Sequence, residues 1–189
     1  MVVADAADEA DSARMFAEAG EALGGLDGLV LNVGIGGGLR LSGTSAADWD
    51  RVLAVNLRSH FLGCRHGLAA MEVPGAIVLI GSVAAREPTP IPAYGASKAA
   101  LESLCRNAAA EGAPRVRVNL LEPGLIDTPL GRLAAPLNPR RNRARIPLGR
   151  QGTAWEVACA AVFLLSGESS YVTGQRLVVD GGMTTGPRA

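Results

Sequence analysis

The chain has 189 residues, enough for one compact domain that buries roughly 70% of the surface its unfolded chain would expose, and too few for two. Hydrophobic residues make up 48% of it and charged ones 19%, spread in short runs, which excludes a disordered tail or a fibre. Eighteen basic side chains balance eighteen acidic ones, so there is no global field for a phosphate backbone or an anionic lipid surface, and neither nucleic acid nor membrane is the expected partner.

No stretch approaches the ~20 apolar residues of a membrane helix. The start carries Asp5, Asp8, Glu9 and Asp11, where a secretory signal would carry positive charge. Cys64, Cys105 and Cys159 fall at spacings that suit neither a disulfide framework nor a metal, and the expected address is the reducing cytoplasm.

Taken in chain order, residues 1–4 read as a short strand. Residues 8–23 repeat Phe16 and alanines at helical intervals and stop at Gly24 and Gly25, which predicts a helix. Residues 28–33 read as a strand. A glycine-rich loop, residues 34–38, leads to Thr44 and Ser45, caps for a helix from 46 to about 57 that continues toward 70. Residues 75–81 form a fully apolar strand, and a loop with Pro88, Pro90 and Pro92 opens a helix over about 94–110. Residues 115–121 alternate as a strand ending at Pro123 and Gly124. Residues 130–152 show no period and read as a connection with at most a short helix; residues 153–165 are helical and 175–179 form the last strand.

Buried strands alternating with helices predict an α/β fold, a doubly wound parallel sheet of three layers. In such sheets ligands sit beyond the carboxyl ends of the strands, where Asp5, Asn32, Ser82 and residues 123–128 fall.

The chain has seventeen arginines and one lysine, Lys98. It follows Tyr94 by four residues, so on a helix a phenol and an ammonium share one face. A nearby cation favours phenolate over phenol, which predicts a lowered tyrosine pKa and suits a general acid or base. Taken alone, Tyr-x-x-x-Lys is usually a surface pair, but its context here is specific. Ser82 stands directly after an apolar strand, and Asn56 lies in the helix after the glycine loop; both offer neutral hydrogen-bonding groups.

The ordered set Asn32-Val33-Gly34, Asn56, Ile80-Gly81-Ser82, Tyr94-Gly95-Ala96-Ser97-Lys98, Pro123-Gly124-Leu125-Ile126-Asp127-Thr128 and Val179-Asp180-Gly181-Gly182 resembles the short-chain dehydrogenase/reductase family, from residue 1 to about 183. The resemblance implies one Rossmann-like domain over residues 1–189 and an NAD- or NADP-dependent oxidoreductase acting on a carbonyl or secondary alcohol. Tyr94 would exchange the proton, Ser82 would bond the substrate oxygen, and Lys98 would hold the nicotinamide ribose and depress the Tyr94 pKa. Asn56 would anchor a proton-relaying water. Pro123, Gly124, the main chain of Ile126 and the hydroxyl of Thr128 would lie at the nicotinamide, while Asp5, Asn32 and Gly34 would line the adenosine half. A homo-oligomer, dimer or tetramer, is also implied.

Two departures from the family pattern stand out. Leu31 replaces the first amide of the usual Asn-Asn-Ala-Gly, removing a hydrogen bond that braces the sheet. The chain also begins at what resembles the third strand, so the fold is expected to be incomplete at the N-terminus by roughly 50 residues, which hold the glycine-rich pyrophosphate turn and the residue that separates NAD from NADP. The loop at 34–38 is no substitute, having Leu39 where a G-x-G-x-x-G needs its last glycine. Residues 1–4 would then either pair directly with 29–33 or leave a bare sheet edge. A fragment of a longer enzyme and a real shortened protein both remain open. So do a cofactor-incompetent relative serving as a partner subunit, and family chemistry such as dehydration or epimerisation.

His60 and His66 fall on different helix faces and suit packing or surface roles better than a metal site. Arg140, Arg141, Arg143 and Arg145 crowd a segment that suits a solvated loop, with an anionic substrate as the sharper alternative. Trp49, Trp155 and Tyr171 are expected in the core or an interface, and the cysteines are expected to act as small apolar residues.

Overall fold

The computed structural model describes residues 1–72, 74–129, 131 and 146–185. Asp8 accepts a hydrogen bond from the Asp11 amide and starts α1 (Glu9–Leu23), which Gly24 ends in the left-handed conformation. Next come β1 (Gly28–Leu31), a short α2 (Arg40–Gly43), α3 (Ala46–Leu53), a wide π-type turn (Ala54–Arg58) and α4 (Ser59–Ala70). The remainder is β2 (Gly75–Ile80), a 3-10 turn (Val83–Ala85), α5 (Pro92–Gly112), β3 (Val116–Pro123), α6 (Ala154–Leu165), a second 3-10 turn (Gly167–Ser169) and β4 (Arg176–Val179).

The four strands run parallel in the order β1-β2-β3-β4. Ile77 and Leu79 of β2 and Val118 and Leu120 of β3 turn to one face, against Cys64 of α4 and Leu101 and Cys105 of α5. Val78 and Leu121 turn to the other, against Ala161 and Leu164 of α6. Burial on both faces explains why β2 reads as an unbroken apolar run. The result is the three-layer, doubly wound arrangement expected, with α1, α4 and α5 on one side of the sheet and α6 on the other.

Residues 1–4 are not a strand. Their apolar run pairs with no strand among the described residues, and the Val3 carbonyl accepts from Arg14 Nη2 at 2.9 Å instead of from a sheet. Among the described residues β1 pairs only with β2, so of the two arrangements considered for this edge the structure takes the open one, with Val30 of β1 43% exposed. Residues 130 and 132–145 of the 130–152 connection, including Arg140, Arg141, Arg143 and Arg145, lie outside the described residues.

Arg117 ties β3 to the end of α6. Its guanidinium donates to the carbonyls of Leu164 at 2.8 Å and Ser166 at 3.0 Å and to Ser169 Oγ at 2.8 Å, filling acceptors that a helix C-terminus leaves unpaired. Arg117→Met is expected to cost about 2–3 kcal/mol, read as a lower urea midpoint, because these partly buried carbonyls lose a charged donor.

Candidate active site

Pro92 occupies the first turn of α5, where its missing amide is harmless, and sets Tyr94 and Lys98 one turn apart. The Lys98 ammonium lies 5.8 Å from the centre of the Tyr94 ring and donates to the Ile80 carbonyl, the last residue of β2, at 2.7 Å. Only 3% of Lys98 is exposed, and this burial pushes its pKa down to about 8. Gly95 lets α5 press against the loop after β2: a Cβ there would come within 2.8 Å of Thr89 Cγ2 and 3.1 Å of the Ala84 carbonyl.

That loop carries Ser82. Its hydroxyl accepts from the Ala84 amide at 3.2 Å and its side chain also hydrogen-bonds with the Tyr94 phenol. The expected lowering of the tyrosine pKa is not found. Burial pushes the phenol up, and the Ser82 bond pulls it only part of the way back. Lys98 does not counter the burial, being itself desolvated and turned toward Ile80.

Asn56 sits in the π-type turn, 0% exposed. Its Oδ1 accepts from the Ile35 amide at 2.8 Å, while Nδ2 donates to the Ile35 carbonyl at 2.9 Å and to Ser97 Oγ at 3.1 Å. One amide thus fixes the glycine loop to the long helix and that helix to α5. A wide turn at such a position is a frequent mark of a functional site. The sequence reading missed Ser97, which is buried and donates to the Tyr94 carbonyl at 2.7 Å; the signal was its place three residues after Tyr94.

Gly34 closes the cluster from the β1 side, since a Cβ there would lie 3.5 Å from Lys98 Nζ and 3.6 Å from Asn56 Oδ1. Beyond β3, the Gly124 amide donates to the Val179 carbonyl at 2.9 Å, and Ile126 bridges to Gly152. Thr128 Oγ1 accepts from the Gly131 amide at 3.0 Å. These residues stand past the carboxyl ends of β3 and β4, as Ser82 stands past β2. Asp5 and Asn32 are exposed; Asp5 holds its own turn, accepting from the Ala7 amide at 2.9 Å, and neither bonds to the Tyr94 cluster among the described residues.

Residues 1–184 match the family model described as enoyl-(acyl carrier protein) reductase. The chain is 42% identical to inactive 2-(S)-hydroxypropyl-CoM dehydrogenase 2 of Xanthobacter autotrophicus, over 97% of this chain and 84% of that protein. It is 41% identical to 2-(R)-hydroxypropyl-CoM dehydrogenase of the same organism, over 97% and 77%. The crystal structure of a short-chain dehydrogenase/reductase from Brucella melitensis superposes with a TM-score of 0.91 at 35% identity, covering 95% of this chain and 74% of that one.

The chain belongs to the short-chain dehydrogenase/reductase family. It is thus an oxidoreductase by family.

The remaining candidates in this short-chain dehydrogenase/reductase divide between packing and surface. Cys64 and Cys105 are buried, Cys159 is exposed, and all three are free. Trp155 and Tyr171 are 77% and 102% exposed, so neither belongs to the core of this chain. No cluster able to hold a metal ion exists among the described residues. His66 packs its ring 5.6 Å from that of Phe16, as expected of a packing residue.

His60 is less ordinary. It is 1% exposed, its Nδ1 lies 3.2 Å from Ser59 Oγ, and Nε2 has no hydrogen-bond partner. Ser59 directs its own proton to the Val55 carbonyl at 2.6 Å, which leaves its oxygen free to accept from the His60 ring. Burial pushes the His60 pKa down to about 4 with help from the Lys98 charge, the Leu31 main chain opposing. The unfolded state therefore takes up a proton near pH 6.5 and the folded state only near pH 4, so stability falls as pH drops through this window. Lowering the pH from 7 to 5 is expected to remove about 2 kcal/mol through this residue, a loss that shrinks in His60→Leu when urea midpoints are compared.

Proposed function

We propose that residues 1–189 act as one Rossmann-type unit that interconverts a secondary alcohol and its ketone with a nicotinamide dinucleotide, Tyr94 serving as general acid and base. The observation that carries this reading is the buried Lys98 ammonium, hydrogen-bonded to Ile80 beside a phenol that Ser82 engages. The 2-hydroxypropyl group in the name of the relative 2-(R)-hydroxypropyl-CoM dehydrogenase is a secondary alcohol, which favours that substrate class, and its being a dehydrogenase favours an enzyme over a partner subunit.

The cofactor fits these residues on one half. Lys98 carries three N–H donors, and Ile80 accepts from it, which leaves donors for the two hydroxyls of a nicotinamide ribose. The main chain of Ile126 and the Thr128 hydroxyl suit the nicotinamide carboxamide, with Pro123 and Gly124 shaping the turn, and Gly34, Asn32 and Asp5 are assigned to the adenosine side. The discriminator between NAD and NADP is not among these residues. When bound, the nicotinamide supplies the hydride acceptor or donor.

Ser82 donates to the substrate oxygen and holds it against the Tyr94 phenol. In the oxidising direction Tyr94 takes the hydroxyl proton, and in the reducing direction it returns one to the carbonyl oxygen. Lys98 keeps a positive charge close to the phenol and so favours the phenolate that oxidation needs. Asn56 keeps the glycine loop, the long helix and α5 in register, with both amide protons engaged, and a proton-relaying water anchored at Asn56 is part of the proposal. Oxidation is therefore expected to quicken as pH rises toward the Tyr94 pKa.

A homo-oligomer is also proposed. Leu53, Leu57 and Phe61, with Asp50 and Arg58, line an open groove along α3 and α4, and Phe61 is 46% exposed. No helix among the described residues is long and apolar enough to cross a membrane, and a cytoplasmic site of action is part of the proposal.

The test is turnover. The chain is supplied with NAD or NADP and a series of secondary alcohols of increasing size, and the near-ultraviolet absorbance of the reduced nicotinamide is followed. Formation of reduced cofactor with at least one secondary alcohol, and none with the matching primary alcohols, is the expected result. A folded chain that reduces neither cofactor with any alcohol, and reduces no ketone, contradicts the reading.

A further inference from the structure

Outside the residues named above, five charges run in a chain across one side of the molecule: Arg106, Glu102, Arg86, Glu122 and Arg176. Glu122, next to last in β3, is 1% exposed. Its Oε2 accepts from Arg176 Nη1 at 3.0 Å and pairs with Arg86 Nε at 3.7 Å. The other end of the Arg86 guanidinium pairs with Glu102 Oε2, and Glu102 Oε1 accepts from Arg106 Nη1 at 3.0 Å. A buried carboxylate needs its counter-charges, so Glu122 holds both guanidiniums in place.

Arg86 is the residue that ends the turn begun at Ser82. The Ala85 amide donates to the Ser82 carbonyl and the Arg86 amide to the Val83 carbonyl, both at 3.0 Å, so fixing Arg86 fixes the turn. Glu102 lies on α5 eight residues after Tyr94, with Lys98 midway, so the three share one stripe of that helix. Segment 80–86 is thereby fastened to this stripe at both ends, Ile80 to Lys98 and Arg86 to Glu102. Ser82 stands between the two fastenings, opposite Tyr94.

We propose that Arg86 is a positioning residue: by tying the Ser82 turn to buried Glu122 and to Glu102 on the helix of Tyr94, it holds the Ser82 hydroxyl on the Tyr94 phenol. Its catalytic consequence rests on the function proposed above, but the contact it sets exists without cofactor. Glu122 and Glu102 touch Arg86 and serve through it. The charged group beside the Tyr94 ring is Lys98, on its own helix, whose charge also reaches His60 on α4; Arg86 is the charge carried by the Ser82 turn.

The experiment reads Tyr94 directly. The chain has two tyrosines, and Tyr171 is fully exposed, so carbon-13 NMR of chain labelled at tyrosine Cζ gives one resonance for the buried phenol at neutral pH. Wild type, Arg86→Met, Ser82→Ala and the double variant are compared in a Tyr171→Phe background. Arg86→Met is expected to move the Tyr94 resonance in the same direction as Ser82→Ala, and the double variant is expected to sit where Ser82→Ala sits. Glu102→Gln, which leaves Arg86 half held, should move it part of the way.

A Tyr94 resonance unchanged in Arg86→Met, whatever its thermal stability, overturns the proposal. So does an Arg86→Met displacement that persists in full on top of Ser82→Ala, since that is a charge effect that bypasses the serine. A resonance indifferent to Ser82→Ala removes the Ser82–Tyr94 contact and the proposal with it. Where turnover is measured, Arg86→Met is expected to lower kcat about tenfold with little change in KM. Absence of turnover in every variant bears on the proposed function and leaves the resonance cycle to decide this one.

Discussion

Tyr94→Phe is expected to lower turnover by about a hundredfold to ten-thousandfold, the range that a positioned general acid or base contributes. Phenylalanine keeps the ring in its half-buried place at the start of α5, and the Ser82 hydroxyl keeps its bond from the Ala84 amide. The fold should therefore hold to within about 1 kcal/mol, since one neutral hydrogen bond is lost and one buried hydroxyl no longer needs satisfying. Steady-state kinetics beside urea unfolding separate the two effects. Turnover in the variant within a few-fold of wild type would remove Tyr94 from the chemistry.

Lys98→Met is expected to act in opposite directions on stability and on function. Burial holds the Lys98 pKa at about 8 against an ordinary 10.5, so at neutral pH the folded chain bears a charge it disfavours by about 3 kcal/mol. Methionine fills the same channel without that charge, at the cost of the bond to the Ile80 carbonyl, and a net gain of about 1–2 kcal/mol is expected. The sign with pH follows from the same shift. Between pH 8 and 10.5 the unfolded wild type holds the proton that the folded one has released, so wild-type stability rises with pH and the advantage of methionine fades. Cofactor binding and turnover should be lost at every pH. A variant less stable than wild type at pH 7 would show that the ammonium is well satisfied in the folded state, against the account of a buried donor awaiting a ligand.

The residues of the site were legible in the sequence because the spacing that matters there is local. Tyr94 and Lys98 sit four apart on a helix, and Ser82 follows the apolar run of β2 directly, so their grouping showed in period and position, while their roles came from the family resemblance. What the sequence did not yield depends on partners far along the chain. The direction of the Tyr94 shift depends on how deeply α5 presses on the loop after β2, which rests on Gly95 meeting Thr89 and Ala84. The ties of Glu122 to Arg176 and Arg86 depend on strand register and on a turn that no periodicity announces. Residues 1–4 misled for the converse reason: a short apolar run resembles a strand wherever it falls, but a strand is made by its neighbour, and among the described residues none pairs with it. Asn56 was found, yet its side chain proves to be a brace between Ile35 and Ser97, a role that needs the glycine loop folded back on the long helix.

The most direct test of the central claim is calorimetric titration of the 189-residue chain with NADH and with NADPH, alongside Lys98→Met. Saturable binding of at least one nicotinamide by the wild type, with a matching rise in thermal stability, and its loss in Lys98→Met are the expected result. A folded wild-type chain that binds neither cofactor, or a Lys98→Met variant that binds as tightly as wild type, contradicts a nicotinamide site built on Lys98.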